Sequence, residues 1–199
     1  MGRNNEERLT FVCSLILLGI SNWLRTRRYG SDIRLLKKLL DPQKNDVILD
    51  VGAGTGAITN TVADVCDDVF AVEPNEEKLE FMKKKYPQIK GLSSKADQIP
   101  FPDSYFTKIY AIASFHHFDD QDLALGEFNR MLKPSGLLLI HDIEPSSVSS
   151  RLEKKAADTH FLSSEEMTRK LESHGFLQVR KVNARRGFML LANKQSVTE

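Results

Sequence analysis

The stretch "VILDVGAGTGAIT", Val47 to Thr59, runs from aliphatic residues through one acid, Asp50, into three glycines within five positions, Gly52, Gly54 and Gly56. An apolar run that stops at a glycine cluster and resumes with helix-compatible residues reads as strand, tight loop, helix. The spacing predicts a strand over "DVILDV" and a helix from about Gly56 to Asp64.

The same alternation extends in both directions. Upstream, "SDIRLLKKLL" carries a Ser31/Asp32 cap signal, apolar residues at helical spacing and a stop before Pro42. Downstream come strand "DVFAVE", helix "NEEKLEFMKKKY", a weaker strand near "IKGLSS", strand "YFTKIYAIA", a helix from about Asp119 to Leu132, and strand "GLLLIHDI". The last is a nearly unbroken apolar run, as in a parallel strand buried on both faces. Helix "SSEEMTRKLESHG" opens on a capping box at Ser163 or Ser164 and closes on Gly175. Only "ARR" separates "FLQVRKVN" from "GFMLLANK", so those two strands form an antiparallel hairpin. The expected fold is α/β: a doubly wound, mostly parallel, Rossmann-like sheet of seven strands with an antiparallel C-terminal hairpin and N-terminal helices. Residues 1–41 form a helical segment expected to act as a lid, and residues 42–199 form the main domain. In such sheets ligands bind outside the carboxyl ends of the strands, where the glycine loop lies.

With 199 residues and 41% apolar content, the chain suits one core. Its 28 basic and 27 acidic residues leave a formal charge of +1, so bulk charge gives no reason to expect a nucleic-acid or anionic-membrane partner. Cys13 and Cys66 stand apart, in no zinc-ligand or disulfide pattern, which fits a reducing cytoplasm. The apolar segment "LTFVCSLILLGISNWL", Leu9 to Leu24, is broken by Thr10, Ser14, Gly19, Ser21 and Asn22. It falls short of the roughly 20 apolar residues of a membrane span. Its basic "RTRR" follows the apolar core, whereas a signal peptide carries its charge before it. A buried or docking helix is favoured, with membrane association the minor reading.

Two ligands compete for the glycine loop. Gly52, Gly54 and Ala57 satisfy the dinucleotide fingerprint, in which backbone amides at a helix start receive a pyrophosphate. A phosphate-binding Walker loop is excluded by the absent lysine and the spacing. Asp50 decides between the remaining ligands by its sign. A carboxylate about 5 Å from a pyrophosphate charge, at an effective dielectric near 20, is repelled by about 3 kcal/mol. A ligand bearing an ammonium and a sulfonium turns the same carboxylate into a partner. S-adenosylmethionine is such a ligand.

The chain here resembles the class I S-adenosylmethionine-dependent methyltransferases, in particular their small-molecule "type 11" branch, whose first motif has the pattern of "LDVGAGTG". The resemblance extends over about Val47 to Lys194. It implies that Gly52, Ala53, Gly54 and Gly56 line the cofactor. Glu73 in "VFAVEPN", followed by Pro74, takes the ribose hydroxyls, although a dinucleotide would ask the same of it. Asp97 in "SSKADQIPFPDSYF", followed by Gln98, accepts from the adenine amine, and Ser114 in "AIASFHHF" lies beside the cofactor. Tyr29 covers the methionyl part and Arg28 meets its carboxylate. The implied cofactor is S-adenosyl-L-methionine, with S-adenosyl-L-homocysteine as product.

Methyl transfer needs alignment and exclusion of water, and a base only where the acceptor must lose a proton. His116 and His117, just past the fourth strand, are the candidate bases. In the competing reading, one histidine packs under the next helix while Asp119 or Asp120 caps it. His141 and Asp142 end the fifth strand, while His160 and His174 suit surface roles. No metal-ligand spacing stands out, even with His141 added to His116 and His117. "SFHHF" replaces the Asn/Asp-Pro-Pro-Tyr of nucleic-acid branches, so a nucleic-acid acceptor is disfavoured although "RKVNARR" is locally basic. Only "EPSSVSSRLEKKAADTH" separates the fifth strand from the final helix, which leaves the apolar N-terminal helix as lid and points to a small lipophilic or aromatic acceptor. The rival functions are a nicotinamide-dependent oxidoreductase and a non-catalytic cofactor-binding regulator. The sequence sets no oligomeric state.

Overall fold

The computed structural model of the protein describes residues 30–145 and 159–196. One sheet holds seven strands: β1 (Val47–Val51), β2 (Asp68–Val72), β3 (Lys90–Leu92), β4 (Phe106–Ile112), β5 (Leu132–Asp142), β6 (Phe176–Asn183) and β7 (Phe188–Lys194). Their spatial order is β3-β2-β1-β4-β5-β7-β6. The pairs among β1 to β5 are parallel, and β7 runs antiparallel to both β5 and β6. The hairpin thus enters the sheet by its second strand. That insertion separates this sheet from the dinucleotide order, in which a sixth strand follows the fifth directly.

The helices are α1 (Gly30–Leu40), α2 (Ala57–Ala63), α3 (Glu76–Lys85), α4 (Gln121–Met131) and α5 (Ser164–Ser173), with a 3-10 turn at Phe115–His117. Side chains alternate across each strand, and the core divides accordingly. On one face Leu36 and Leu40 of α1 and Ile58 and Val62 of α2 pack on Ile48, Val69, Tyr110 and Leu139. Leu79 and Met82 of α3 join them over Ala71. On the other face Leu125 and Phe128 of α4 and Met167 and Leu171 of α5 pack on Leu49, Val51, Ile109 and Leu138.

Side-chain caps start three of these helices. Asn75 accepts from the Lys78 N–H, Asp120 from the Asp122 and Leu123 N–H groups, and Ser163 forms a reciprocal capping box with Glu166. Each such cap is worth about 1 kcal/mol. The Ser31/Asp32 signal works differently from expectation. Helix α1 runs Gly30–Leu40, which puts both residues inside its first turn, and buried Asp32 accepts the Arg185 N–H at 2.9 Å. It ties α1 to the β6–β7 turn. Strand β5 also starts earlier than expected: Leu132 pairs with Phe106, and an irregularity precedes the pairing of Leu137 with Lys108. Among the described residues no helix is long and apolar enough to cross a membrane, and Leu9 to Leu24 lies outside them.

At the amino edge of the sheet Lys108 of β4 meets Asp46 at 2.6 Å, with both side chains largely buried. Burial opposes the charge on Asp46, but Lys108, the Gln43 N–H and the Thr107 hydroxyl outweigh it and hold the carboxyl below its usual range. The stabilisation from a lowered carboxyl pKa is complete above the unfolded-state value and fades as pH falls through the folded-state value. Lys108→Gln should therefore cost about 1–2 kcal/mol at pH 7 and narrow the stability gap between pH 7 and pH 3. Urea denaturation at both pH values checks this, and an unchanged gap would remove the pair from the account.

Candidate cofactor-binding site

The loop after β1 is held by its own backbone. The Gly52 and Ala53 N–H groups donate to the Val72 carbonyl at 2.9 and 3.1 Å, so the chain end of β1 stays against β2. The Gly54 N–H donates to Glu73 Oε2 at 2.8 Å, and the Asn75 N–H to Glu73 Oε1 at 3.0 Å. One carboxylate thereby joins the glycine loop to the start of α3. Gly52 sits at φ 77°, and a Cβ there would lie 2.5 Å from Ser114 Cβ. No other residue type fits. The Ser114 hydroxyl, in turn, donates to the Val51 carbonyl at 2.8 Å.

Asp50 shares the sheet face of Ile48 and stands in register with Tyr110 on β4. Its Oδ2 accepts the Thr59 hydroxyl at 2.6 Å, and the residue is 2% exposed. Thr59 lies in α2, so this bond clamps the two ends of the glycine loop from below. Burial, then the neighbouring Asp50 charge, push the Tyr110 hydroxyl well above the usual tyrosine range. Thr59 and Tyr110 escaped the sequence reading. The helical i-spacing put Thr59 on an apolar face, and nothing local marks Tyr110.

Asp97 lies past β3, and its buried Oδ1 has no hydrogen-bond partner among the described residues. Its loop is anchored to the segment after β4 by Lys95, which meets Asp119 at 2.6 Å. A buried carboxylate oxygen without a donor is costly unless a ligand N–H or O–H completes it. Ala53, Gly54 and Gly56 are buried, whereas Pro74 and Gln98 are exposed. Tyr29 and Arg28 lie outside the described residues.

The two candidate bases differ sharply. His117 is exposed. His116 is buried, with Nδ1 2.6 Å from Asp142 Oδ1, and its ring stacks on Phe161 at 4.1 Å. Asp120 caps α4. The capping half of the competing reading thus stands beside a buried His–Asp pair. His141 is buried on the opposite sheet face, and burial pushes its imidazole below the usual range, against the pull of Asp32 and Asp142. His174 is half-buried at the end of α5, where its Nδ1 lies 2.8 Å from the Lys170 carbonyl. Among the described residues no group of three His, Cys, Asp or Glu could hold a metal ion.

The glycine loop, Glu73 and the end of β4 thus meet at the switch point between β1 and β4. The donor set fits an adenosine ligand with a cationic tail: carboxylates at two strand ends, Asp50 and Glu73, a third carboxylate, Asp97, with an unfilled oxygen, and no lysine or arginine among the described residues matched to the cofactor. Thr59→Val keeps the volume but takes one donor from Asp50. We expect a loss of about 1–3 kcal/mol in chemical denaturation, and no loss would show that the clamp is dispensable.

Residues 49–140 match the family described as a methyltransferase domain. A demethylmenaquinone methyltransferase of Chlorobaculum tepidum is 32% identical over 146 residues, 73% of this chain and 58% of the relative. The chain thus spans little more than half the length of that curated protein. Among solved structures, a S-adenosylmethionine-dependent methyltransferase of Thermotoga maritima, described as a possible histamine N-methyltransferase, superposes with a TM-score of 0.73 at 20% identity, over 92% of this chain and 97% of that one. A chain of the complex between the Haloferax volcanii Trm112 methyltransferase activator and a candidate methyltransferase gives 0.76 at 15% identity, over 98% of this chain and 100% of that one. At these identities the two structures speak for the shared fold.

Proposed function

We propose that this chain, which belongs to the S-adenosylmethionine-dependent methyltransferases, transfers a methyl group to a small lipophilic or aromatic acceptor. The buried, unfilled Oδ1 of Asp97 is the observation that most supports the placement of the cofactor. It would accept from the adenine amine, while Glu73, already holding the loop, would use its remaining lone pairs for the ribose hydroxyls. Asp50 would act from beneath the loop, its charge favouring the cationic end of the ligand. Gly52, Gly54 and Gly56 would let the backbone approach closely. Ser114 would keep the β1 and β4 ends together against the ligand. When bound, S-adenosylmethionine supplies an electrophilic methyl carbon on a sulfonium that leaves as a neutral thioether. The protein's share is alignment and exclusion of water.

Titration calorimetry with S-adenosylhomocysteine tests this placement. Asp97→Ala should weaken binding by about 1.5–3 kcal/mol, roughly 10- to 150-fold. Unchanged affinity would remove Asp97 from the site. Thermal protection by NAD(H) in place of S-adenosylhomocysteine would overturn the cofactor.

The acceptor class rests on the apolar segment Leu9 to Leu24 and on a relative named for demethylmenaquinone. Initial rates should favour apolar over polar acceptors by tenfold or more, as expected when about 1.4 kcal/mol of apolar contact separates them. Equal rates across both sets would sink this choice, and binding without transfer to any acceptor would leave a regulator. We place the protein in the cytoplasm, where the buried Cys66 thiol stays reduced.

A further inference from the structure

The carboxylate at the end of β5 is occupied from three directions. Asp142 Oδ2 accepts the His116 backbone N–H at 3.1 Å, and Oδ1 accepts the Ile143 N–H at 2.8 Å. The third contact is His116 Nδ1, 2.6 Å from Oδ1. The two backbone groups can only donate, so they hold Asp142 as an acceptor, and Nδ1 must carry the proton. In the neutral ring the basic lone pair then resides on Nε2.

The ring itself is fixed. Phe161 stacks on it at 18° between planes. The segment bearing Phe161 is bound to the turn, because the His160 N–H donates to the His116 carbonyl at 2.8 Å. Gln121 of α4 donates to the His160 carbonyl at 2.8 Å and to the Phe115 carbonyl at 3.3 Å. The pair is 2% and 3% exposed at its side chains. A buried pair of this kind adds little stability over apolar residues of the same volume, so stability alone gives no reason for it. Its place does. Ser114, two residues before His116, braces the end of β1 and stands where a Gly52 Cβ would have to be.

Resting on the methyl-transfer reading, we propose that Asp142 is a positioning residue that holds His116 as the general base, and that the acceptor is a hydroxylated aromatic such as a phenol or hydroquinone. The acceptor oxygen forms the bond to the methyl carbon as the carbon–sulfur bond breaks toward sulfur. Its proton passes to His116 Nε2, and the resulting imidazolium is balanced by Asp142. No oxidant or reductant is involved.

The titratable groups around His116 are Asp142 and His141 from β5, His117 beside it on the turn, and His160 ahead of α5. Asp142→Asn has one oxygen for the work of two. Its amide must either face the His116 N–H or offer a donor to the ring, which moves the ring proton to Nε2.

Nitrogen-detected NMR of histidine-labelled protein reads the ring directly, without turnover. The wild type should show the Nδ1–H form at His116, and Asp142→Asn should shift it toward Nε2–H. With 1,4-naphthalenediol, kept reduced, as acceptor, Asp142→Asn and His116→Gln should each lose about 10²- to 10⁴-fold in kcat. S-adenosylhomocysteine affinity should stay within threefold in both variants. That affinity also reports whether each variant is folded; where Asp142→Asn is not, the wild-type tautomer and His116→Gln decide. An Nε2–H ring in the wild type, an unmoved kcat in His116→Gln, or transfer to dimethyl selenide but not to the diol would each overturn the proposal. Loss of S-adenosylhomocysteine binding in the wild type would instead defeat the methyl-transfer reading, with the NMR result standing by itself.

Discussion

The carboxyl edge of this sheet depends on how closely the end of β4 approaches the loop after β1. Ser114 reaches the Val51 carbonyl only because Gly52 presents no side chain, and a Cβ there would stand 2.5 Å from Ser114 Cβ. That contact sets the separation of two strand ends, and the turn carrying His116 follows it directly. From the other side the Val72 carbonyl takes two loop N–H groups, and Glu73 takes a third. The loop is therefore braced by both neighbouring strands before any ligand arrives. Preorganisation of this kind lets binding proceed without ordering a mobile segment first.

Asp50 enters this frame from below. In the sequence Asp50 stands out only by the sign of its charge. In the fold it is also a clamp, bonded to Thr59 and in register with Tyr110. A buried carboxylate needs such donors, because leaving one unmet costs more than a neutral bond gains. The two roles are compatible. A carboxylate held rigidly beneath a loop projects its field upward at no cost in reorganisation.

What could be read along the chain was local. The glycine loop, the alternation of strands and helices and the Ser163–Glu166 capping box each depend on residues a few positions apart, and propensity and periodicity act at that range. The short "ARR" link makes the final hairpin antiparallel, as β6 and β7 are. The insertion of β7 between β5 and β6 was not readable, because strand order is set by which faces must be buried against distant partners. The same limit hid the site's polar contacts. His116 and Asp142 are 26 residues apart, and Asp32 and Arg185 are 153 apart. No spacing rule links residues that meet only through the sheet.

Strand β5 shows why such contacts concentrate at a strand end. From Leu137 to Ile140 its side chains are apolar and feed one core or the other in turn. His141 and Asp142 continue that alternation with polar groups, so one falls toward α1 and the other toward the turn after β4. The pleat alone assigns them to opposite faces. Each then needs a partner from a different element, and finds charge there: Asp32 lies on the His141 side and His116 on the Asp142 side. Asp32 also holds the β6–β7 turn, through which α1 is fastened to the hairpin beside β5. A change in the seating of α1 would thus reach Asp32 and the Arg185 turn first. It would reach β5 second, at the residue adjoining the one that orients His116.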